Sequence, residues 1–293
     1  SYYRAAAANP YMQRWTLSIQ RELPWRTLTE VAYVGNRGTK LPLTREWDFV
    51  PAQYLSKLPV RDQLTIDYLT AQVTNPFYGI PGLEGTARGS NLRFNRNQLV
   101  LPYPHLTGLT ATLPIGYTWY HSMQTRVEKR MSHGITFQVG WTWSKLMEAL
   151  SFRNDSDPFL EEVISDQDFT HRFTLTGIFE LPVGKGKPLL GNAGGVLNGA
   201  LGGWSVQGWY EGQTGDTLGF GTNTIFYGNL RDIVLPKDQR RVERWFNTDA
   251  GFERDPAKQL AQNIQTFPTR FSGIRADGIN NFDLSLFKSF RIH

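Results

Sequence analysis

The stretch from Trp119 to Ser144, WYHSMQTRVEKRMSHGITFQVGWTWS, decides the fold class. Trp119, Met123, Val127 and Met131 fall on one side of a two-residue repeat. Ser122, Gln124, Arg126, Glu128 and Arg130 fall on the other. After Ser132-His133-Gly134 the repeat resumes, with Ile135, Phe137, Val139, Trp141 and Trp143 alternating with Thr136, Gln138, Gly140, Thr142 and Ser144. Side chains of an extended chain point to opposite faces in turn, so the stretch predicts a hairpin with one apolar and one polar face. The Ser-His-Gly link suits a tight turn between its strands.

The same alternation recurs on either side. From Tyr11 to Arg21, Tyr11, Trp15, Leu17 and Ile19 alternate with Arg14, Thr16, Ser18 and Gln20. Thr27 to Gly35 reads as extended, with Val31 and Tyr33 sharing a face. Phe173, Leu175, Phe179 and Leu181 alternate with Arg172, Thr174, Thr176 and Glu180. Trp204, Val206, Gly208 and Tyr210 alternate with Ser205, Gln207, Glu211 and Gln213, although Trp209 interrupts the polar side. Asp283 to Phe290 places Leu284 and Leu286 together. These make about seven strands, most of about ten residues. Soluble sheets use strands of about 5–6 residues, whereas a tilted membrane-crossing strand needs about 9–11. The aromatic residues gather near strand ends, as in the girdles of outer-membrane barrels. The expected fold class is all-β: an antiparallel transmembrane β-barrel segment with long external loops. A soluble antiparallel sandwich is the alternative, and it would use shorter strands with fewer outward Trp residues.

Connection lengths give an independent test. In chain order they run short (22–26), long (36–116), short (132–134), long (146–168), intermediate (183–202) and long (214–280). Outer-membrane barrels alternate short periplasmic turns with long external loops. The parity holds if the Gly-rich 183–202 segment is periplasmic. The first and last strands then both run inward. A complete single-chain bacterial barrel has an even number of strands, so the expectation is a partial barrel, unless Leu92 to Leu101 supplies one more strand.

Composition agrees. The chain has 293 residues, 31 Lys plus Arg against 26 Asp plus Glu, a net charge of +5, nine Trp and no Cys. Disulfides, thiolate metal sites and a Cys nucleophile are excluded. The positive charge is spread out, with no concentrated basic stretch, so no nucleic-acid partner is expected. Mean hydropathy is −0.39 and no unbroken apolar run of about 18 residues occurs, which argues against a helical membrane span.

Alternation also assigns side chains to an environment. Trp15, Leu17, Ile19, Val127, Phe137, Val139, Trp141, Phe173, Leu175, Phe179, Val206 and Tyr210 are expected to face lipid. Gln124, Arg126, Glu128, Arg130, Gln138, Arg172, Glu180, Gln207 and Glu211 are expected to face a lumen, because Arg or Lys on the lipid side costs about 2–4 kcal/mol at the bilayer midplane. Structural pairing across the lumen wall is favoured for them over a solute path. Discrete chemistry is sparse. His105, His121, His133, His171 and His293 show no metal-ligand spacing. Val183 to Pro188, VGKGKP, lacks the spacing of a phosphate loop and reads, with Leu190 to Gly203, as a flexible basic turn. Asp155, Asp157, Glu161, Glu162, Asp166 and Asp168 crowd one loop beside Asn154. They form a candidate Ca²⁺ site without EF-hand register, against the plainer alternative of a solvated acidic loop. No catalytic order of residues and no nucleotide fingerprint stands out, so neither an enzyme nor a cofactor is expected.

Five blocks carry a family resemblance. NPYMQRWTLSIQRELPWRTLTEVAYVGNRGTKL, YHSMQTRVEKRMSHGITFQVGWTWSK, DFTHRFTLTGIFELPVGKGK, GALGGWSVQGWYEGQTGDTLGF and NNFDLSLFKSFRI occur in this order. Together they resemble the barrel of Oar-like TonB-dependent outer-membrane receptors. The resemblance implies a barrel of about 22 strands, a plug, a signal peptide and an N-terminal β-sandwich domain. It also implies energised uptake of a bulky substrate through the plugged lumen. The matching blocks correspond to the later part of such a barrel. Residues 1–293 are therefore expected to be a single partial β-barrel domain, with plug and N-terminal domains outside it. The implied partners are outer-membrane lipid, the remaining barrel strands and plug of a parent chain and, indirectly, the TonB energy-coupling complex; the implied location is the bacterial outer membrane. A structural or adhesive protein whose barrel anchors long surface loops is the second reading. A soluble extracellular β assembly joined through strand edges is a third.

Overall fold

The computed structural model describes residues 2–3, 8–221 and 224–290. Seven long strands dominate it: β1 (Tyr11–Leu23), β2 (Thr27–Glu46), β3 (Thr110–Ser132), β4 (Ile135–Ala149), β5 (His171–Glu180), β6 (Trp204–Gln213) and β7 (Ile279–Lys288). Each pairs antiparallel with the next, so spatial order follows chain order and the sheet is an up-and-down meander. Tyr2–Tyr3 joins β3 in parallel, and Val163–Ile164 pairs with the end of β4. The sheet is open: among the described residues the outer edges of β1 and β7 pair with no further strand.

The short connections lie at one end of the sheet. Trp25 and Arg26 adopt φ of 62° and 60°, and His133 and Gly134 adopt 54° and 78°. Two successive residues with positive φ give a turn whose twist matches that of the flanking strands. The third connection at this end, between Glu180 and Trp204, is folded rather than the flexible turn expected from its glycines. It contains a short helix, Gly195–Leu201, and Asn198 Oδ1 accepts the Lys185 N–H at 2.6 Å. The long loops, between β2 and β3, β4 and β5, and β6 and β7, all lie at the other end.

Strands β2 and β3 run well past the expected limits at Gly35 and Trp119. Their ladder crosses an irregularity between Gly38 and Leu41, where Lys40 has φ of 57°, and then continues to Glu46 opposite Thr110. Backbone pairing persists there while the two-residue alternation does not, because that level has no uniformly apolar surroundings to enforce it. Leu92 to Leu101 is not an eighth crossing strand. Arg93–Asn95 pairs with Gln72–Thr74 in a separate two-stranded sheet, and a 3-10 turn follows at Arg96–Gln98. The last strand starts at Ile279 rather than Asp283 and ends at Lys288. Residues 291–293, including His293, lie outside the described residues.

The largest fully buried apolar side chains, Leu69, Ile225, Ile233 and Ile274, all belong to the long loops, while the buried apolar residues of the sheet are mostly small, such as Ala32, Ala111 and Ala149. On the sheet, Ile19 is 72% exposed, Leu286 61% and Phe282 62%.

Candidate functional site

Directly paired residues share a face, so the register sorts every strand side chain. Row by row across the sheet, Ile135, Phe179, Val206 and Leu286 align; then Phe137, Gly177, Gly208 and Leu284; then Val127, Val139, Leu175, Tyr210 and Phe282. Trp15, Leu17, Ile19, Trp141 and Phe173 lie on this same apolar face. The Gly177–Gly208 pair leaves a shallow groove of about 240 Å³ between Phe137, Leu175, Phe179, Tyr210 and Leu284.

The opposite face is polar. One row runs Glu30, Arg126, Gly140, Thr174, Glu211. The next runs Ala32, Gln124, Thr142, Arg172, and the one below runs Glu128, Gln138, Thr176, Trp209. Arg126 bridges to Glu128 at 2.7 Å, and Arg172 donates twice to Glu211, at 2.7 and 3.0 Å. Both arginines remain half exposed, so these pairs contribute at most about 1 kcal/mol each. A Cβ at Gly140 would meet Thr174 Oγ1 at 2.8 Å. The absent side chain opens a basin of about 430 Å³ lined by Glu30, Gln124, Arg126, Gln138, Thr142, Arg172 and Thr174.

Above the sheet the three long loops form one joined body. Ser56 exchanges backbone hydrogen bonds with Gln262 and Ile264, at 2.9 and 2.8 Å. Asn154 accepts the Gln265 N–H at 2.7 Å, and Arg153 donates to the Thr266 carbonyl at 3.1 Å. Arg45 donates to the carbonyls of Asp155 and Asp157, and its guanidinium lies 4.1 Å from the centre of the Phe152 ring. Inside the β6–β7 loop, Phe220 packs against Phe246, Phe252, Phe267 and Phe271 with ring centres 5.1–6.1 Å apart. At the loop helix Gln63–Thr70, the Thr65 hydroxyl and N–H, with Ser56, hold the Asp62 carboxyl below its usual range.

The family model described as an outer membrane beta barrel domain matches residues 1–293, the whole chain. The chain belongs to this outer-membrane β-barrel family. The domain is thus a bacterial outer-membrane protein. The outer membrane transporter YddB from Escherichia coli is similar over 96% of this barrel domain and 26% of its own chain, at 11% identity and a TM-score of 0.40. The domain spans about a quarter of that structure. No protein of curated function matches its sequence.

In this barrel domain, all twelve residues expected on the apolar side share the apolar face. Gln124, Arg126, Glu128, Gln138, Arg172, Glu180, Gln207 and Glu211 share the polar one. Arg130 does not belong to either row. It falls where the β3–β4 ladder is interrupted between Lys129 and Ser132, and its N–H donates to the Arg26 carbonyl. The candidate Ca²⁺ site is corrected: among the described residues no three carboxylate or His side chains gather around one point. Asp168 accepts from Arg275 and from the Leu146 N–H, each at 2.5 Å. Glu161 is held by Arg153 at 2.7 Å and the Thr269 hydroxyl at 2.8 Å, Glu162 by the Tyr117 hydroxyl, and Asp157 by the Asn154 N–H. Asp166 faces Arg270 at 3.5 Å, and Asp155 offers its carbonyl to Arg45. Arginines supply the positive charge that a cation would have brought. Arg153, Arg270 and Arg275 were missed as site residues, because their partners stand about a hundred residues away in sequence or more, apart from the local Arg153–Glu161 pair, and carry no motif.

Proposed function

We propose that this domain is a wall segment of a TonB-dependent outer-membrane transporter of the Oar-like kind. The observation that carries the reading is the placement of the large apolar side chains. Large apolar side chains cover one face of the sheet and stay exposed or half exposed, while the largest fully buried apolar side chains sit in the loops. A contiguous apolar surface of this extent needs a lipid partner. In this reading Trp15, Leu17, Ile19, Val139, Leu175 and Phe179 meet hydrocarbon, and the Gly140 basin with Arg126 and Arg172 faces the lumen. The loop body covers the outer mouth and selects a bulky substrate. Further strands extend the sheet from β1 and β7, because every backbone donor and acceptor at membrane depth needs a partner. A plug from the parent chain gates the lumen when the TonB complex pulls on it. The domain itself carries no bond-making chemistry.

A second reading has support in the loop body. Three loops tied together around their own aromatic core could also serve as a surface platform, with the barrel as its anchor. The parent chain decides between them. Site-specific cross-linking in intact cells is expected to join its N-terminal segment to TonB, and loss of the proton-motive force is expected to stop substrate accumulation. Absence of both a cross-link and a plug region would discard transport in favour of anchoring.

A further inference from the structure

Charge is sorted between the two faces of the sheet more strictly than polarity is. In the ladders that keep one register, up to the irregularity at Gly38, every Asp and Glu lies on the polar face. The apolar face carries basic groups and no carboxylate, and its basic groups sit only at the two ends of the strands. Two of those at the short-turn end, Lys129 and Lys288, are engaged, whereas Arg21 is exposed and forms no hydrogen bond or ion pair among the described residues. Lys129 donates to the Trp25 carbonyl at 3.0 Å, and Lys288 donates to the Ala200 carbonyl at 3.2 Å with its ammonium over the Trp204 ring. At the long-loop end Arg37 lies over the Tyr117 ring at 5.8 Å, and Lys145 has no such partner. It stands directly beside His121 in the register, exposed, with no hydrogen bond or ion pair among the described residues.

The surroundings of Lys145 are shaped. Trp15 folds across Gly35, where any Cβ would collide with its ring, and comes to lie 6.4 Å from His121. Tyr33 stacks on His121 at 6.1 Å, and its hydroxyl shares a 2.7 Å hydrogen bond with Nδ1. That bond fixes the imidazole and leaves Nε2 for another partner. A cavity of about 470 Å³ adjoins the row; half of its lining, Tyr33, His121, Met123, Trp143 and Lys145, comes from the apolar face, and the other half from polar-face serines and the long loops.

We propose that Lys145 and His121 form a binding site for the phosphorylated headgroup of an outer-leaflet glycolipid. The proposal rests on the apolar face being the lipid-facing one. Lys145 and Nε2 of His121 hold the phosphate, and the aromatic shelf of Trp15, Tyr33 and Trp143 supports the sugar rings and the first carbons of the acyl chains. Charge complementarity selects an anion, since no strand carboxylate of the unshifted ladders shares the face and the loop carboxylate Glu162 is held by the Tyr117 hydroxyl at 2.7 Å. The aromatic shelf beside the cations selects an anion attached to a lipid over a free ion, and the site lies at the end of the apolar band, where headgroups sit.

The test uses the full-length chain, extracted from outer membranes in detergent and stripped of lipid. Native mass spectrometry follows binding of bisphosphorylated lipid A, dephosphorylated lipid A and inorganic phosphate. Lipid A is expected to bind at least tenfold more tightly than its dephosphorylated form. The Lys145→Gln, His121→Gln double variant is expected to abolish that preference, while Lys145→Arg and the polar-face Arg14→Gln preserve it. Equal binding of the two lipid forms, or an unchanged preference in the double variant, would overturn the site. Inorganic phosphate competing at the same concentration as lipid A would overturn its assignment to a lipid. Quenching of Trp143 by brominated lipid tests the underlying face separately. Quenching without phosphate preference rejects the site alone, whereas no quenching rejects the lipid-facing reading itself.

Discussion

Replacing Val139 by Arg puts the two-face account at risk in one step. Val139 lies in the row with Val127, Leu175, Tyr210 and Phe282. It is five residues beyond Gly134 at the short-turn end. At about 3.4 Å per residue and a tilt of about 45°, that is about 12 Å above the rim, near the middle of an apolar band about 25 Å tall. An Arg there is expected to cost about 2–4 kcal/mol, equivalent to about 30- to 700-fold in the insertion equilibrium. Its neighbour Gln138 sits on the other face between Glu128 and Thr176, so Gln138→Arg gains a carboxylate neighbour and is expected to be close to neutral. Both variants are made in the full-length chain and refolded into lipid vesicles across a urea series. The Val139 variant should shift to lower urea by the stated energy while the Gln138 variant stays with the parent. Equal shifts in the two variants would refute the assignment of faces.

Three further outcomes follow from the loop body. Arg275→Ala strands the Asp168 carboxylate, whose side chain is 0% exposed, and should loosen the loops by about 3–5 kcal/mol while the sheet stays inserted; limited proteolysis between 214 and 278 reads it, and an unchanged cleavage rate would count against the ion pair as the hub. Phe220→Ala removes the ring that touches four other phenylalanines and should destabilise the same loop by about 3–5 kcal/mol, again seen as faster cleavage than in the parent. The Asp62 carboxyl is held low by Thr65 and Ser56, so its contribution to the helix Gln63–Thr70 is present above the ordinary carboxylate range and is lost as pH falls through the lowered value. Amide exchange over 63–70 should accelerate on acidification, and in an Asp62→Ala variant this acid dependence should disappear.

The sheet was legible because a membrane wall imposes the simplest possible pattern. Each residue from Ile135 to Trp143 faces either the apolar or the polar side, so a two-residue period survives in the sequence. The extensions of β2 to Glu46 and β3 back to Thr110 were hidden because pairing there continues through Pro42, Pro114 and a shifted register without a uniform apolar side. The short helix Gly195–Leu201 was hidden by its glycines. In the loops the acidic cluster was visible but its meaning was not. Local spacing allowed a cation, whereas the groups that neutralise Asp166 and Asp168, Arg270 and Arg275, arrive from the next long loop. The outer-rim cluster was equally invisible. His121 reads as an isolated histidine until the register sets Lys145 beside it and the missing side chain of Gly35 lets Trp15 approach.

The central claim is that alternate residues of β4 meet hydrocarbon and water. Spin labels placed singly from Ile135 to Trp143 in the membrane-inserted full-length chain test it directly through collision with oxygen, which concentrates in lipid, and with a water-soluble nickel chelate. The account predicts oxygen maxima at 135, 137, 139, 141 and 143 and nickel maxima at 136, 138, 140 and 142. Uniform access to the nickel reagent, or protection of both sets from both reagents, would contradict it.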